Sequence, residues 1–319
     1  MKEKALLPEK NRIKARVLSG VGGLYRVVTE KGDILECRAR GSFRHSGVSP
    51  YPGDRVTVTE EETGAAAICE ILERKNRFER PPAANIDKLF ITVAAASPTP
   101  ACITVDKLLC AAEYYGAESV ILITKSDLDP ETAGRLKTVY EISGYKVFVT
   151  SSLSGEGIEG LKKFVYGEIK GCTAVFAGES GVGKSSLMNA IFPELGLRTG
   201  AVSRKISRGK HTTRAVTLYP LDGEPSYDGA FLADTPGFGI FELASIEELF
   251  YEDVPSLFPE FAERLNTCRY KKCTHLREEG CEILAAVGRG EIAAERHDSY
   301  VKIYEELKVL RPWQGKKKK

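Results

Sequence analysis

The sequence predicts a multi-domain chain with an N-terminal β-barrel of the OB-fold kind, a central α/β domain with a parallel sheet, and a C-terminal α-helical region around a knot of cysteines. Three observations predict it. Short β-like segments separated by turn residues fill residues 12–72. From residue 89 to 177, buried strands alternate with amphipathic helices. Beyond Gly239 the strand pattern stops, and Cys268, Cys273, His275 and Cys281 fall within fourteen residues. The expected boundaries are 1–78, 79–242 and 243–319.

At 319 residues the chain suits two or three domains, each with its own core. Hydrophobic residues at 42% and charged residues at 28% are ordinary for a globular protein, and a net charge of +2 excludes an extreme polyelectrolyte while leaving room for local patches. Met1-Lys2-Glu3-Lys4 leads into no secretory apolar segment, and no apolar run nears the ~20 residues that cross a bilayer. The expected location is cytoplasmic, with no membrane partner. Cys37, Cys69, Cys102, Cys110 and Cys172 then read as reduced thiols among apolar neighbours, behaving as small hydrophobes.

The barrel strands are expected at 14–18, 24–29, 34–40, 55–59 and 67–72, with turns at Gly22-Gly23 and Lys31-Gly32-Asp33. Arg38, Arg40, Phe43, Arg44 and Tyr51 set cations near aromatics, which suits a single-stranded nucleic acid and equally a solvated barrel rim. Arg80-Pro81-Pro82 reads as a linker. Beyond it, strands at 89–96, 120–124, 146–150 and 173–177 alternate with helices at 105–115, 131–142 and 157–166, as in a parallel sheet covered on both faces. Helices are expected at 245–250, 258–264, 282–287 and 293–309, before a basic, solvated tail at 316–319.

Gly178-Glu179-Ser180-Gly181-Val182-Gly183-Lys184-Ser185 matches the phosphate-cradling pattern GxxxxGK[ST] and follows a buried strand, which separates it from an ordinary glycine turn. Its glycines let backbone N–H groups point inward, and the helix over 184–192, beginning Lys184-Ser185-Ser186, adds a positive end. Lys184 would reach the β- and γ-phosphates of a nucleotide, and Ser185 would ligate Mg²⁺. Downstream, an apolar strand ends in Asp234-Thr235-Pro236-Gly237. Asp234 can hold Mg²⁺ through water, and the Gly237 N–H can meet the γ-phosphate.

The loop sits in mid-chain, and what precedes it supplies the base site. Thr124-Lys125-Ser126-Asp127 ends a buried strand and resembles the guanine-reading Asn-Lys-x-Asp motif of GTPases, with threonine in place of asparagine. Asp127 can accept the ring N–H and exocyclic amine that guanine offers together, while Lys125 lays its stem over the base; a solvated strand–helix turn is the bland reading. Thr150-Ser151-Ser152-Leu153-Ser154-Gly155 resembles the segment whose backbone N–H meets the guanine oxygen, at Ser151 and Ser152. The order of base reader, second base loop, phosphate loop and Asp-x-x-Gly is a rotation of the common order, so the chain resembles the circularly permuted GTPases. Permutation changes connections and leaves the contacts available.

Three thiolates and one imidazole at Cys268-x4-Cys273-x-His275-x5-Cys281 fit a closed, tetrahedral structural Zn²⁺ site; a disulfide or buried thiols are the other readings. Arg269, Lys271, Lys272 and Arg277 make the knot basic, as RNA phosphate would favour. This spacing, and Gly209-Lys210-His211-Thr212-Thr213 in the basic segment 203–214, are similar to those of the ribosome small subunit-dependent GTPase A (RsgA) family. The resemblance implies that Thr213, or Thr212 in the neighbouring register, ligates Mg²⁺ and senses the γ-phosphate, with Arg214 where the family often has a third threonine. Phe238 stands where many GTPases carry a water-orienting glutamine, and phenylalanine cannot hydrogen-bond water. Slow intrinsic hydrolysis and activation by a partner are expected, with His211 either orienting water or simply exposed.

The resemblance spans nearly the whole chain. It implies a monomeric GTPase that converts GTP to GDP and phosphate, binds the small (30S) ribosomal subunit and its rRNA late in maturation, and carries Mg²⁺ and one Zn²⁺. Two rivals are a permuted GTPase acting on the large subunit and an RNA-binding scaffold that nucleotide orders with little turnover.

Overall fold

The structure, a computed structural model, describes residues 12–41, 43, 48–60, 66–79, 82–193, 216–221, 223–234, 243–246 and 248–310. Arg44, Arg80, Pro81, the segment 203–214 with His211, Thr212, Thr213 and Arg214, then Gly237, Phe238 and the basic tail lie outside the described residues. The chain divides into two compact units: residues 1–87, 168–175 and 211–236 form one, and residues 88–167, 176–210 and 237–319 the other.

The first unit holds the expected five-stranded barrel: β1 (Arg12–Val21), β2 (Leu24–Thr29), β3 (Ile34–Ala39), β4 (Arg55–Glu60) and β5 (Ala66–Ile71). Their order is β1-β2-β3-β5-β4, and β4 returns to pair with β1, so the sheet closes. Gly22 and Gly23, both at positive φ, form the two-residue turn that lets Val21 face Leu24. Alternation sends Ala15, Val17, Val27, Cys37, Val56, Val58 and Ile68 into a closed apolar core. Phe43 packs against that core, and the Arg74 guanidinium lies over the Tyr51 ring, so two of the aromatics expected on a nucleic-acid surface are held by the barrel itself.

One expectation needs correction. The stretch read as a linker is bordered by β6 (Arg77–Glu79) and β7 (Pro82–Ala84), which pair antiparallel. Pro82, with no N–H to give, is tolerated at the start of such a short edge strand, and the Asn76 carboxamide fastens the far end by bonding both the N–H and the carbonyl of Ile86. Within the first unit, a strand that the sequence did not announce, β12 (Thr217–Pro220), runs antiparallel beside β13 (Phe231–Asp234). β13 itself runs parallel to the opening residues of β11 (Thr173–Ala177), with Val175 opposite Ala233.

In the second unit β8 (Lys88–Ala94), β9 (Glu118–Thr124) and β10 (Lys146–Val149) are parallel in the order β10-β9-β8. Every residue of β8 is buried, as a strand covered on both faces requires. The crossovers are α1 (Cys102–Tyr115), α2 (Pro130–Ile142) and α3 (Ile158–Glu168), and α4 (Lys184–Ile191) follows the phosphate loop. α2 starts where Asp129 caps the Thr132 N–H with Pro130 in the first turn. The closing helices are α5 (Glu282–Gly288) and α6 (Ala294–Leu310). The helix expected over 245–250 is replaced by 3₁₀ turns at Leu243–Ser245 and Tyr251–Leu257. The Asp253 carboxylate accepts the Phe250 N–H at 3.1 Å and so starts a new turn after it.

α6 is fastened to α1 by a buried ionic knot. Arg296, fully buried, donates to Asp106 Oδ1 at 2.6 Å and to both oxygens of Glu260 at 2.7 and 3.2 Å, with its guanidinium over the Phe258 ring. The carboxylates hold the Arg296 guanidinium charged against the cost of burial.

Candidate nucleotide site and metal cluster

β11 ends at Ala177, and the chain turns at once into the phosphate loop. Gly178, at φ +137, lies so close to β8 that a Cβ there would sit 2.2 Å from the Thr92 carbonyl oxygen. Only glycine lets the loop pass. Gly181 and Gly183 also take positive φ, and Gly183 caps the N-terminus of α4. Ser180, Gly181 and Ser186 are exposed, Ser185 is half-buried, and Val182 is buried beneath the loop. The Lys184 ammonium folds over its own loop and donates to the Gly178 and Glu179 carbonyls, each at 2.6 Å. That is the place from which it can turn to phosphate oxygens.

The turn expected to read the base is bonded to this loop. Thr124, the last residue of β9, donates its buried hydroxyl to the Val182 carbonyl. The threonine that departs from the asparagine of the motif thus ties base reader to phosphate loop with its single donor. Lys125, at φ +55, donates from Nζ to the Gly181 carbonyl at 2.8 Å and to the Ser97 carbonyl. Ser126 is buried and donates to Glu156 Oε2 at 2.9 Å, which leaves Asp127 exposed beyond the strand end.

The loop expected to meet the guanine oxygen is held beside it. Ser126 N–H donates to the Thr150 carbonyl. The buried Ser151 hydroxyl accepts the N–H groups of Leu153 and Ser154 at 3.2 and 3.1 Å, and Ser152 is exposed. Gly157, at φ +70, closes the loop where a Cβ would meet the Val149 carbonyl oxygen at 2.1 Å. The sequence did not mark Glu156 and Gly157; the glycine itself, within a run of polar turn residues, was the readable signal. Asp234 ends β13 in the first unit, opposite Thr217 of β12.

In the C-terminal segment the metal-ligating atoms of Cys268, Cys273, His275 and Cys281 all lie within 4.8 Å of one another. His275 Nδ1 is 3.5 Å from Cys268 Sγ and 3.4 Å from Cys281 Sγ, and the two sulfurs are 3.9 Å apart. Ligands about 2.0–2.3 Å from a tetrahedral zinc stand roughly 3.4–3.8 Å from each other, so the donor set fits that ion. Burial pushes the Cys273 thiol up to about 12 and raises Cys281, while it lowers His275 and so keeps the imidazole neutral for a metal. Metal capture must therefore displace thiol protons. α6 supports the knot: His297 Nε2 donates to the His275 carbonyl at 2.8 Å, and the Tyr300 hydroxyl to the Thr274 carbonyl at 2.6 Å.

A phosphate loop hydrogen-bonded to a preceding strand end that carries the expected base-reading residues, with a closed barrel earlier in the sequence and a Cys₃His cluster later, defines a circularly permuted P-loop GTPase. Comparison with known proteins agrees. The model of the RsgA GTPase matches residues 71–244, and that of the RsgA N-terminal domain matches residues 14–68. The small ribosomal subunit biogenesis GTPase RsgA of Ruminiclostridium cellulolyticum is 42% identical over 304 residues, 94% of this chain and 96% of that one. The protein of the same name from Bacillus subtilis is 36% identical, over 93% of this chain and 98% of its own. The crystal structure of YjeQ from Thermotoga maritima superposes with a TM-score of 0.73 at 35% identity, covering 93% of this chain and 98% of that one. That of YloQ, described as a circularly permuted GTPase, gives a TM-score of 0.73 at 30% identity over 97% and 100%. The chain belongs to the RsgA GTPase family, whose enzymes turn GTP into GDP with Mg²⁺.

Proposed function

We propose that the chain hydrolyses GTP on the small ribosomal subunit during its late maturation, as a cytoplasmic monomer that contacts the subunit's rRNA. The observation that carries the guanine reading is the pair of contacts from Thr124 and Lys125 to the carbonyls of Val182 and Gly181, which joins base reader and phosphate loop in one site. The subunit reading rests on relatives named for small ribosomal subunit biogenesis. Among the described residues no helix is long and apolar enough to cross a membrane.

In this reading Asp127 accepts the two guanine donors, Lys125 covers the base, and Ser151 and Ser152 offer backbone N–H groups. The amides from Gly178 to Ser186 and the Lys184 ammonium hold the phosphates and stabilise charge that develops on the γ-phosphoryl oxygens. Ser185 and Thr213, or Thr212, would hold Mg²⁺, with Asp234 acting through water, and the ion when bound would supply positive charge against the phosphates. The Gly237 N–H meets the γ-phosphate, and His211 orients the attacking water. Cys268, Cys273, His275 and Cys281 would hold Zn²⁺, which keeps the basic residues Arg269, Lys271, Lys272 and Arg277 in one fixed surface toward RNA phosphate. The division at 1–78, 79–242 and 243–319 serves as the functional one: RNA-binding barrel, switch and subunit-facing module.

Co-sedimentation with separated ribosomal subunits, in GTP-analogue and GDP forms, tests the reading. The chain is expected to pellet with small subunits and more strongly in the GTP-analogue form. Pelleting with large subunits instead, or equal small-subunit affinity in both forms, rejects it.

A further inference from the structure

Glu179 puts a carboxylate into a loop built to receive a polyanion. Its backbone carbonyl accepts from the Lys184 ammonium at 2.6 Å, so the residue belongs to the core of the loop. Its side chain leaves in another direction: Oε1 accepts the Thr104 hydroxyl at 2.8 Å, in the first turn of α1. α1 begins at Cys102 with no side-chain cap, so its first turn presents N-terminal backbone dipoles that favour a negative charge. Around this contact lies a small cavity lined by Thr92, Pro98, Thr104, Gly178, Glu179 and Val182.

We propose that Thr104 is a positioning residue for the phosphate loop, holding the Glu179 carboxylate against the start of α1 and away from the bound phosphates. The inference rests on the guanine-nucleotide reading of the site and adds a residue that no phosphate-loop pattern contains. Like charges near a phosphate site repel through a partly screened medium, so where the carboxylate points decides how much nucleotide affinity the loop retains. The repulsion acts on ground state and transition state alike, because both carry the phosphate charge. It therefore appears in binding and KM more than in kcat.

The test uses the full-length, zinc-loaded chain with Mg²⁺, fluorescent GDP titration and steady-state GTP hydrolysis. Thr104→Val is expected to weaken GDP binding and raise KM for GTP about tenfold at low salt, with kcat held within about twofold. The defect should shrink at about 0.5 M salt, where charge interactions are screened. Thr104→Ser should bind as the parent does, and adding Glu179→Gln to Thr104→Val should restore binding by removing the charge. Loss of a merely structural contact would be insensitive to salt and would not be repaired by the second substitution. Thermal melts of each variant confirm that the chains compared are folded. Unchanged binding by Thr104→Val overturns this inference alone, as does a salt-independent defect that Glu179→Gln leaves in place. A parent chain that binds no guanine nucleotide overturns the nucleotide reading and this inference with it.

Discussion

Asp127 stands exposed at the end of β9 because Ser126, its buried neighbour, is bonded to Glu156 and turns the chain outward. If its two oxygens read guanine, Asp127→Asn exchanges an acceptor for a donor and inverts the preference. KM for GTP should rise by about 10²-fold or more while xanthosine triphosphate becomes the better substrate, as paired KM measurements on the two nucleotides would show. Unchanged GTP preference would remove Asp127 from the base site. At this scale the phosphate loop was legible in the sequence, because its spacing is local and dictated by backbone geometry around phosphate. Thr124 was legible as a departure and not as a solution, since its partner Val182 is 58 positions away. Thr104 was illegible altogether: it opens an apolar helix, and the carboxylate it holds lies 75 positions downstream.

Elements were read well wherever burial imposed a period. β2 and β11 fall on the expected residues, and β8, β9 and the crossover helices shift by one to three positions at their ends. β12 escaped because four residues ending in Pro220 offer no alternation to detect. The pairing of β6 with β7 escaped because Pro-Pro marks a turn as readily as a linker. The contact between α1 and α6 was also invisible, since Asp106 and Arg296 are 190 positions apart. It yields a prediction at this scale. Removing Arg296 alone leaves two buried carboxylates uncompensated, so Arg296→Met should cost about 3–5 kcal/mol in denaturant unfolding of the second unit. Replacing Arg296, Asp106 and Glu260 together by apolar residues of similar volume should be nearly neutral, because the desolvation cost leaves with the charges. Equal losses in both variants would show that packing, and not charge, holds α6 to α1.

Over the whole molecule, the rotated order of motifs is the property that ties sequence to activity. The base-reading turn precedes the phosphate loop in the chain, and the hydrogen bonds from Thr124 and Lys125 bring the two together without a common connection. The Cys₃His cluster comes later in the sequence, and the carbonyls of its Thr274 and His275 are held by Tyr300 and His297 of α6. The same helix is locked to α1 through Arg296, and Thr104 in the first turn of α1 donates to Glu179 of the phosphate loop. The measurement that tests the account most directly is GTP turnover by the zinc-loaded chain with Mg²⁺, alone and with purified small ribosomal subunits, with ATP and large subunits as controls. Slow turnover alone is expected where Phe238 replaces a water-orienting residue, with at least about tenfold stimulation by small subunits for GTP only. Turnover that small subunits leave unchanged, or that ATP supports as well as GTP, would contradict that expectation.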